Sequence, residues 1–326
     1  MKYDGFLFGN GLTLNLLYQL KEEVPKERQY LLNVDDFLHT WVKGELTPRE
    51  ERYLYSALYG NQKDKWKYFE IMKNEIELYY KDFDSNIEYV IGKTLFNKEE
   101  HNRIVQLFPA LYNIWFIVLN EYLNYIGLNS KITSYYERIK EYIGNPRYIW
   151  TTNYDKFAEC LNPQHLHGRF MDNMKKYEDV IYKRIKGGKE YYYKYVWGHN
   201  GIGKMNNINQ VMKFKDHDKY FDFAFFNNDN ILVNNLLIFG MGFKKSGFTE
   251  DLKTKYDRYE HPAFGAIIDE HILIRIRELQ EKNKIQRIDI SYYDENEKLY
   301  LQEVMQEMEI TKYRLVKCQD FDFKLR

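Results

Sequence analysis

The chain has 326 residues and a mass of 39.9 kDa, enough to bury a substantial core, and its 48 basic and 48 acidic side chains cancel. A balanced field of this kind gives no electrostatic reason to expect nucleic acid or an anionic membrane as the main partner. Cys160 and Cys318 are the only cysteines, which excludes both a disulfide framework and a four-cysteine zinc site and points to a reducing, cytoplasmic setting.

The first expected element is a strand over residues 3–8, followed at Gly9-Asn10-Gly11-Leu12-Thr13 by a glycine turn and a helix over 12–22. A strand, glycine turn and helix can bring backbone N–H groups to a pyrophosphate, with Gly9 and Gly11 adopting positive φ and Thr13 donating a hydroxyl hydrogen bond. The same pattern also makes an ordinary strand-to-helix turn. From about residue 21 to 146 the periodicity is helical with few glycines, and Thr47-Pro48-Arg49-Glu50 combines a capping box with proline at the first helical position. This stretch reads as a helical insertion within one domain that spans 1–326. Its most apolar segment, 114–119, is far shorter than the roughly 20 residues of a membrane-spanning helix. The N-terminus carries no secretory-signal pattern.

Strand-like runs return at 147–152, 191–197, 235–240, 286–293 and 313–318, separated by helical patterns at 171–185 and 264–282. Such alternation implies an α/β fold with a mainly parallel, Rossmann-like sheet covered by helices. Thr151-Thr152-Asn153-Tyr154-Asp155 sits at the end of the second strand, where ligands of open α/β sheets bind. Asn153 offers donor and acceptor groups suited to ribose hydroxyls or a water, and Asp155 offers a carboxylate; alternatively Asn153 ends the strand and Asp155 caps a helix beginning near Lys156. Downstream, His165-Leu166-His167-Gly168 supplies two imidazoles two residues apart. Either ring can serve as a base near neutral pH, or the two can be a metal pair, although no third and fourth ligand is recognisable. The 183–195 stretch is basic and aromatic like a nucleic-acid patch, but Gly187-Gly188 also suits a hairpin. A second glycine turn, Gly240-Met241-Gly242, ends the apolar run 236–239.

Taken together, Gly9-Asn10-Gly11-Leu12-Thr13, Thr151-Thr152-Asn153-Tyr154-Asp155 and His167-Gly168 resemble the sirtuin (SIR2) family, whose Gly-Ala-Gly-x-Ser, Thr-Gln-Asn-x-Asp and His-Gly motifs surround NAD+. The resemblance implies Asn153 and His167 as catalytic residues, with Gly9, Asn10, Gly11, Thr13, Thr152, Asp155, Gly240 and Gly242 binding the cofactor-like substrate. It assigns Asp155 to the nicotinamide carboxamide. Gly242 stands where the family has a serine, a hydroxyl that Ser246 would have to replace. Neither Cys-x-x-Cys pair of the deacylases' zinc ribbon is present, so the chain is similar to the ribbon-free, sirtuin-like NADases of bacterial anti-phage defence and, more distantly, to AbiH abortive-infection proteins. The resemblance implies an NAD+ hydrolase, active as a homo-oligomer or with a separately encoded activating protein of nucleotide-sensing, Argonaute or ATPase type, and no metal. The alternatives are a non-catalytic NAD+ or ADP-ribose sensor subunit and an NAD+-dependent deacylase.

Overall fold

A computed structural model of the chain describes residues 2–57, 112, 114–153, 155–166, 230–244 and 269–325. The expected strand at 191–197, the helix at 171–185, the Gly187-Gly188 turn, Ser246 and the His167-Gly168 pair lie outside the described residues. The chain divides into two compact units, one formed by Met1–Gln19, Ser130–Gly168 and Phe214–Arg326, the other by Leu20–Asn129 and Arg169–Lys213.

The first unit is built on a sheet of six strands, β1 Gly5–Phe8, β2 Tyr148–Thr151, β3 Gln164–His165, β4 Val233–Phe239, β5 Ile285–Tyr292 and β6 Tyr313–Lys317. Every pairing is parallel and the order is β3-β2-β1-β4-β5-β6. The all-parallel sheet is the Rossmann-like architecture expected from the alternating pattern, and its order is doubly wound. From β1 the chain steps outward through β2 and β3 on one side, then through β4, β5 and β6 on the other, so the order reverses between β1 and β4.

Both faces of the sheet are covered, and the central β1 and the end of β4, Leu236–Phe239, read as continuous apolar runs for that reason. All four residues of β1 are buried. Leu7 joins Trp150, Ile238 and Ile290 in a cluster with Ile272 and Ile276 of helix Glu270–Glu281 and Leu301 and Met305 of helix Glu295–Glu307. Phe6 and Phe8 alternate to the other face and stack at 5.1 Å. Phe239 meets Phe323 at 4.9 Å and Phe321 at 5.5 Å, so the C-terminal tail packs on the end of β4. Helix Asn10–Leu20 (α1) holds that tail through Gln19, whose Nε2 donates to the Phe323 carbonyl at 2.9 Å.

The second unit contains a 3-10 turn at Lys26–Leu32, α2 Val34–Val42, α3 Pro48–Ala57 and α4, residues 114–125. Asn33 caps α2 by accepting from the Asp35 and Asp36 N–H groups. The expected capping box of α3 is present: Thr47 N–H donates to Glu50 Oε2 at 2.7 Å, and Glu50 N–H donates back to Thr47 Oγ1 at 3.4 Å. The same Glu50 carboxylate accepts from Tyr30 Oη at 2.5 Å. Helix Asn129–Tyr142 (α5), which the sequence places in the helical stretch, belongs from Ser130 onward to the sheet unit. Among the described residues, no helix is long and apolar enough to cross a membrane.

Candidate functional site

The sequence motifs that lie within the described residues converge at the carboxyl ends of β1, β2 and β4, beside the reversal of strand order. Gly9 follows β1, Thr152 and Asn153 follow β2, and Gly240 follows β4. In a doubly wound sheet this crevice is where ligands bind.

The glycines are required by close approach. Gly9 and Gly11 are not among the residues with positive φ, whereas Gly240 is, at 67°. The expectation of positive φ at Gly9 and Gly11 is therefore corrected. A Cβ on Gly11 would lie 2.6 Å from the Gly240 Cα, and one on Gly9 would lie 2.7 Å from the Met241 side chain. The backbones meet because the Gly11 N–H donates to the Gly240 carbonyl at 2.9 Å. That bond uses one of the first-turn N–H groups expected at a phosphate, and the Leu12 N–H is used by the Gly9 carbonyl at 3.1 Å. It also explains why α1 begins at Asn10, two residues earlier than its apolar period suggests. Asn10 is the exposed residue of the turn. The Gly240 N–H donates to Ser291 Oγ at 2.9 Å, so the end of β5 contributes a hydroxyl to the turn after β4.

Gly242 differs from its neighbours, since the nearest atom to an added Cβ is a Lys244 side-chain carbon at 3.5 Å. Gly240→Ala, which adds left-handed strain to a backbone collision, is expected to lower stability by about 3 kcal/mol. Gly242→Ala is expected to stay within about 1 kcal/mol of wild type. Denaturant midpoints of the two variants check the pair, and equal midpoints would remove the close-approach explanation.

Four buried polar side chains form the centre of the site. Thr13 Oγ1 donates to Asp155 Oδ2 at 2.8 Å and accepts from Asn153 Nδ2 at 2.9 Å. The hydroxyl proton that the sequence pattern offers to a phosphate is given to Asp155, because the carboxylate, buried beneath the turn, requires a donor. Asp155 Oδ1 accepts from the Phe157 N–H at 3.1 Å within a local turn; the expected alternative, a cap on a helix beginning near Lys156, is corrected, since the next helix is the 3-10 turn Glu159–Leu161 with Ala158 at its cap. The fourth member, Tyr136 of α5, is fully shielded and lies close to both Thr13 and Asp155. No sequence motif singles it out. Its only signal is an apolar helical period that places it with Ile132, Tyr135 and Ile139 on the buried face of α5.

Burial dominates the electrostatics. It raises the Asp155 carboxyl above its ordinary value, against the opposing pull of the Thr13 hydroxyl and the Phe157 N–H. Burial likewise holds the Tyr136 phenol well above its usual range, reinforced by the Asp155 charge. Asp155 therefore favours the folded state most at low pH, below its ordinary 3.8, and that contribution is lost as pH rises through its raised value. Relative to Asp155→Asn, wild type is expected to gain thermal stability as pH falls through this window. Melting curves of the two proteins that stay parallel across the range would contradict the burial explanation.

Asn153 is 6 % exposed, and its Oδ1 is a shielded acceptor with no hydrogen-bond partner among the described residues. Its orientation is fixed from three sides. Nδ2 points to Thr13, its N–H donates to Thr151 Oγ1 at 3.0 Å, and its carbonyl lies 2.8 Å from His165 Nδ1. Leaving such an acceptor unsatisfied costs about 1–3 kcal/mol, which a ligand hydroxyl or a water would recover. His165 Nε2 lies 2.8 Å from Glu159 Oε1, so both ring nitrogens of this histidine have protein partners. Among the described residues, no group of three or more His, Cys, Asp or Glu side chains is gathered as for a metal.

The fold and site together define a Rossmann-like α/β protein with closely packed glycine turns and a buried Thr13-Asn153-Asp155 network, backed by Tyr136, at its switch point. Comparison with protein-family models, with curated proteins and with solved structures finds no match to the chain.

Proposed function

We propose that the protein is a sirtuin-like NAD+ hydrolase that releases nicotinamide and ADP-ribose and depletes NAD+ as the effector of an anti-phage abortive-infection system. The observation that carries the reading is Asn153. At the carboxyl end of β2, its side-chain Nδ2 is committed to Thr13 while its side-chain Oδ1 has no hydrogen-bond partner among the described residues, the arrangement needed to accept from a ribose hydroxyl or an incoming water. The pyrophosphate would lie against Asn10 at the N-terminus of α1, where the helix dipole favours an anion.

In this reading the C1′–N bond breaks with its electron pair leaving on nicotinamide, positive charge develops on the ribose, and water adds to C1′. Asn153 orients the ribose or the water, and His167 takes the proton of the water or of a ribose hydroxyl. Asp155, stiffened by Thr13, shapes the nicotinamide end. Thr152, Gly9, Gly11, Gly240 and Gly242 complete the lining. An unregulated activity of this kind would kill its own cell, so the protein acts in the cytoplasm as a homo-oligomer or under a separately encoded activator.

A second reading, a subunit that binds NAD+ or ADP-ribose without turnover, is favoured by one observation: both Asp155 oxygens already have protein donors, which leaves less capacity to grip and twist the carboxamide. Measuring nicotinamide release from NAD+ by the purified protein, alone and with the products of neighbouring genes, separates the two. Release supports the hydrolase. Binding of NAD+ without release under every condition would replace it with the sensor, and dependence on an acylated peptide would indicate a deacylase.

A further inference from the structure

The histidine that the catalytic assignment leaves aside is placed to control Asn153. His165 lies on β3 in register with Thr151 of β2, and its flanking Leu166 N–H donates to the Thr151 carbonyl at 2.8 Å. The imidazole thus returns, after the 154–163 loop, to the first turn beyond β2. There Nδ1 meets the Asn153 carbonyl at 2.8 Å and Nε2 meets Glu159 Oε1 at 2.8 Å. A carbonyl can only accept, and so can a carboxylate; a neutral imidazole has one N–H and can satisfy only one of them. Both contacts are made together when the ring carries both protons. The His165 side chain is 10 % exposed, so water does not readily substitute for a lost contact.

We propose that His165 is a positioning residue, held as an imidazolium by Glu159, which pins the Asn153 peptide and thereby the direction of the Asn153 side chain. Among the described residues, the charged groups facing the ring are Glu159, from the turn Glu159–Leu161, and the buried Asp155. When the imidazolium gives up a proton, either the Asn153 carbonyl loses its donor or Glu159 faces a bare nitrogen lone pair. The grip on Asn153 loosens in either case. What the latch positions rests on the nucleotide reading above, whereas its protonation does not.

Glu159→Gln separates the two requirements. The introduced carboxamide can donate to Nε2, so a neutral ring with its proton on Nδ1 then satisfies both partners, and the need for a charge disappears. The test uses the full-length protein with isotope-labelled histidine, and ADP-ribose as a probe that is not consumed. Nitrogen spectra of the ligand-free wild type at neutral pH are expected to show both His165 nitrogens protonated, and those of Glu159→Gln only one. The wild-type affinity for ADP-ribose is expected to exceed that of His165→Ala about tenfold, the effect of one lost hydrogen bond to a shielded carbonyl. In Glu159→Gln, where a neutral ring satisfies both partners, it is expected to stay within about twofold of wild type.

A singly protonated His165 in wild type, or an ADP-ribose affinity unchanged in His165→Ala, overturns the inference. A doubly protonated ring in a protein that binds no ADP-ribose at any pH upholds the latch and removes the nucleotide reading instead.

Discussion

Asn153→Ala is expected to lower nicotinamide release from NAD+ by about 10²-fold or more while leaving the protein folded. The substitution removes two things at once. It deletes the unpartnered Oδ1, the acceptor proposed to orient the ribose or the water, and it takes from Thr13 the amide that donates to its hydroxyl. The backbone contacts of residue 153, from its N–H to Thr151 and from its carbonyl to His165, are unchanged, so the turn after β2 should survive. Asn153→Asp is the informative companion. It keeps the shape and an acceptor but turns the donor facing Thr13 into a second acceptor and sets another negative charge near the buried Asp155. Turnover should fall in this variant as well. Near-normal activity in folded Asn153→Ala protein would remove the residue from the mechanism.

The second large effect is on stability. Thr13→Val preserves volume and β-branching but deletes the hydroxyl that both donates to Asp155 and accepts from Asn153. A buried carboxylate loses a donor and a buried amide loses its acceptor, which together should destabilise the sheet unit by about 3 kcal/mol. Thr13→Ser, which retains the hydroxyl and loses one methyl group, should cost about 1 kcal/mol. The comparison is made on denaturant midpoints. Equal stability of Thr13→Val and wild type would mean that the network does not hold the turns together.

These two effects trace to residues far apart in the chain that a sequence reading can already associate. The central strands β1, β2 and the end of β4 were legible because a strand covered on both faces is a continuous apolar run that gives way to polar or glycine residues: Phe6-Leu7-Phe8 to Gly9, Tyr148-Ile149-Trp150 to Thr151-Thr152 and Leu236-Leu237-Ile238-Phe239 to Gly240. Their parallel order followed from the helices between them. The two-residue β3 was not legible, since Gln164-His165 is too short to carry a period. The start of α1 was displaced because the first residues are apolar-poor and are held by a backbone bond to Gly240, a contact that no local pattern encodes.

Within the site, residue types were legible and their partners were not. Thr13, Asn153 and Asp155 stand out as polar residues at strand ends, yet the sequence points Thr13 outward to a phosphate whereas the fold turns its proton inward to Asp155. Gly9 and Gly11 stand out for conformational freedom, whereas the fold uses their lack of a side chain. Tyr136 is hidden within a core-facing helical stripe. Imidazoles two residues apart suggest a base or a metal pair at His165; its pairing with Glu159 and the Asn153 carbonyl depends instead on how the loop closes.

The central claim, that the ends of β1, β2 and β4 form a nucleotide site organised by Asn153, is tested most directly by a crystal structure of the protein with ADP-ribose. The pyrophosphate is expected at the start of α1, beside Asn10 and Gly240, with a ribose hydroxyl donating to Asn153 Oδ1. ADP-ribose bound elsewhere, or its failure to bind while Asn153 Oδ1 is satisfied by another group of the protein, would contradict it.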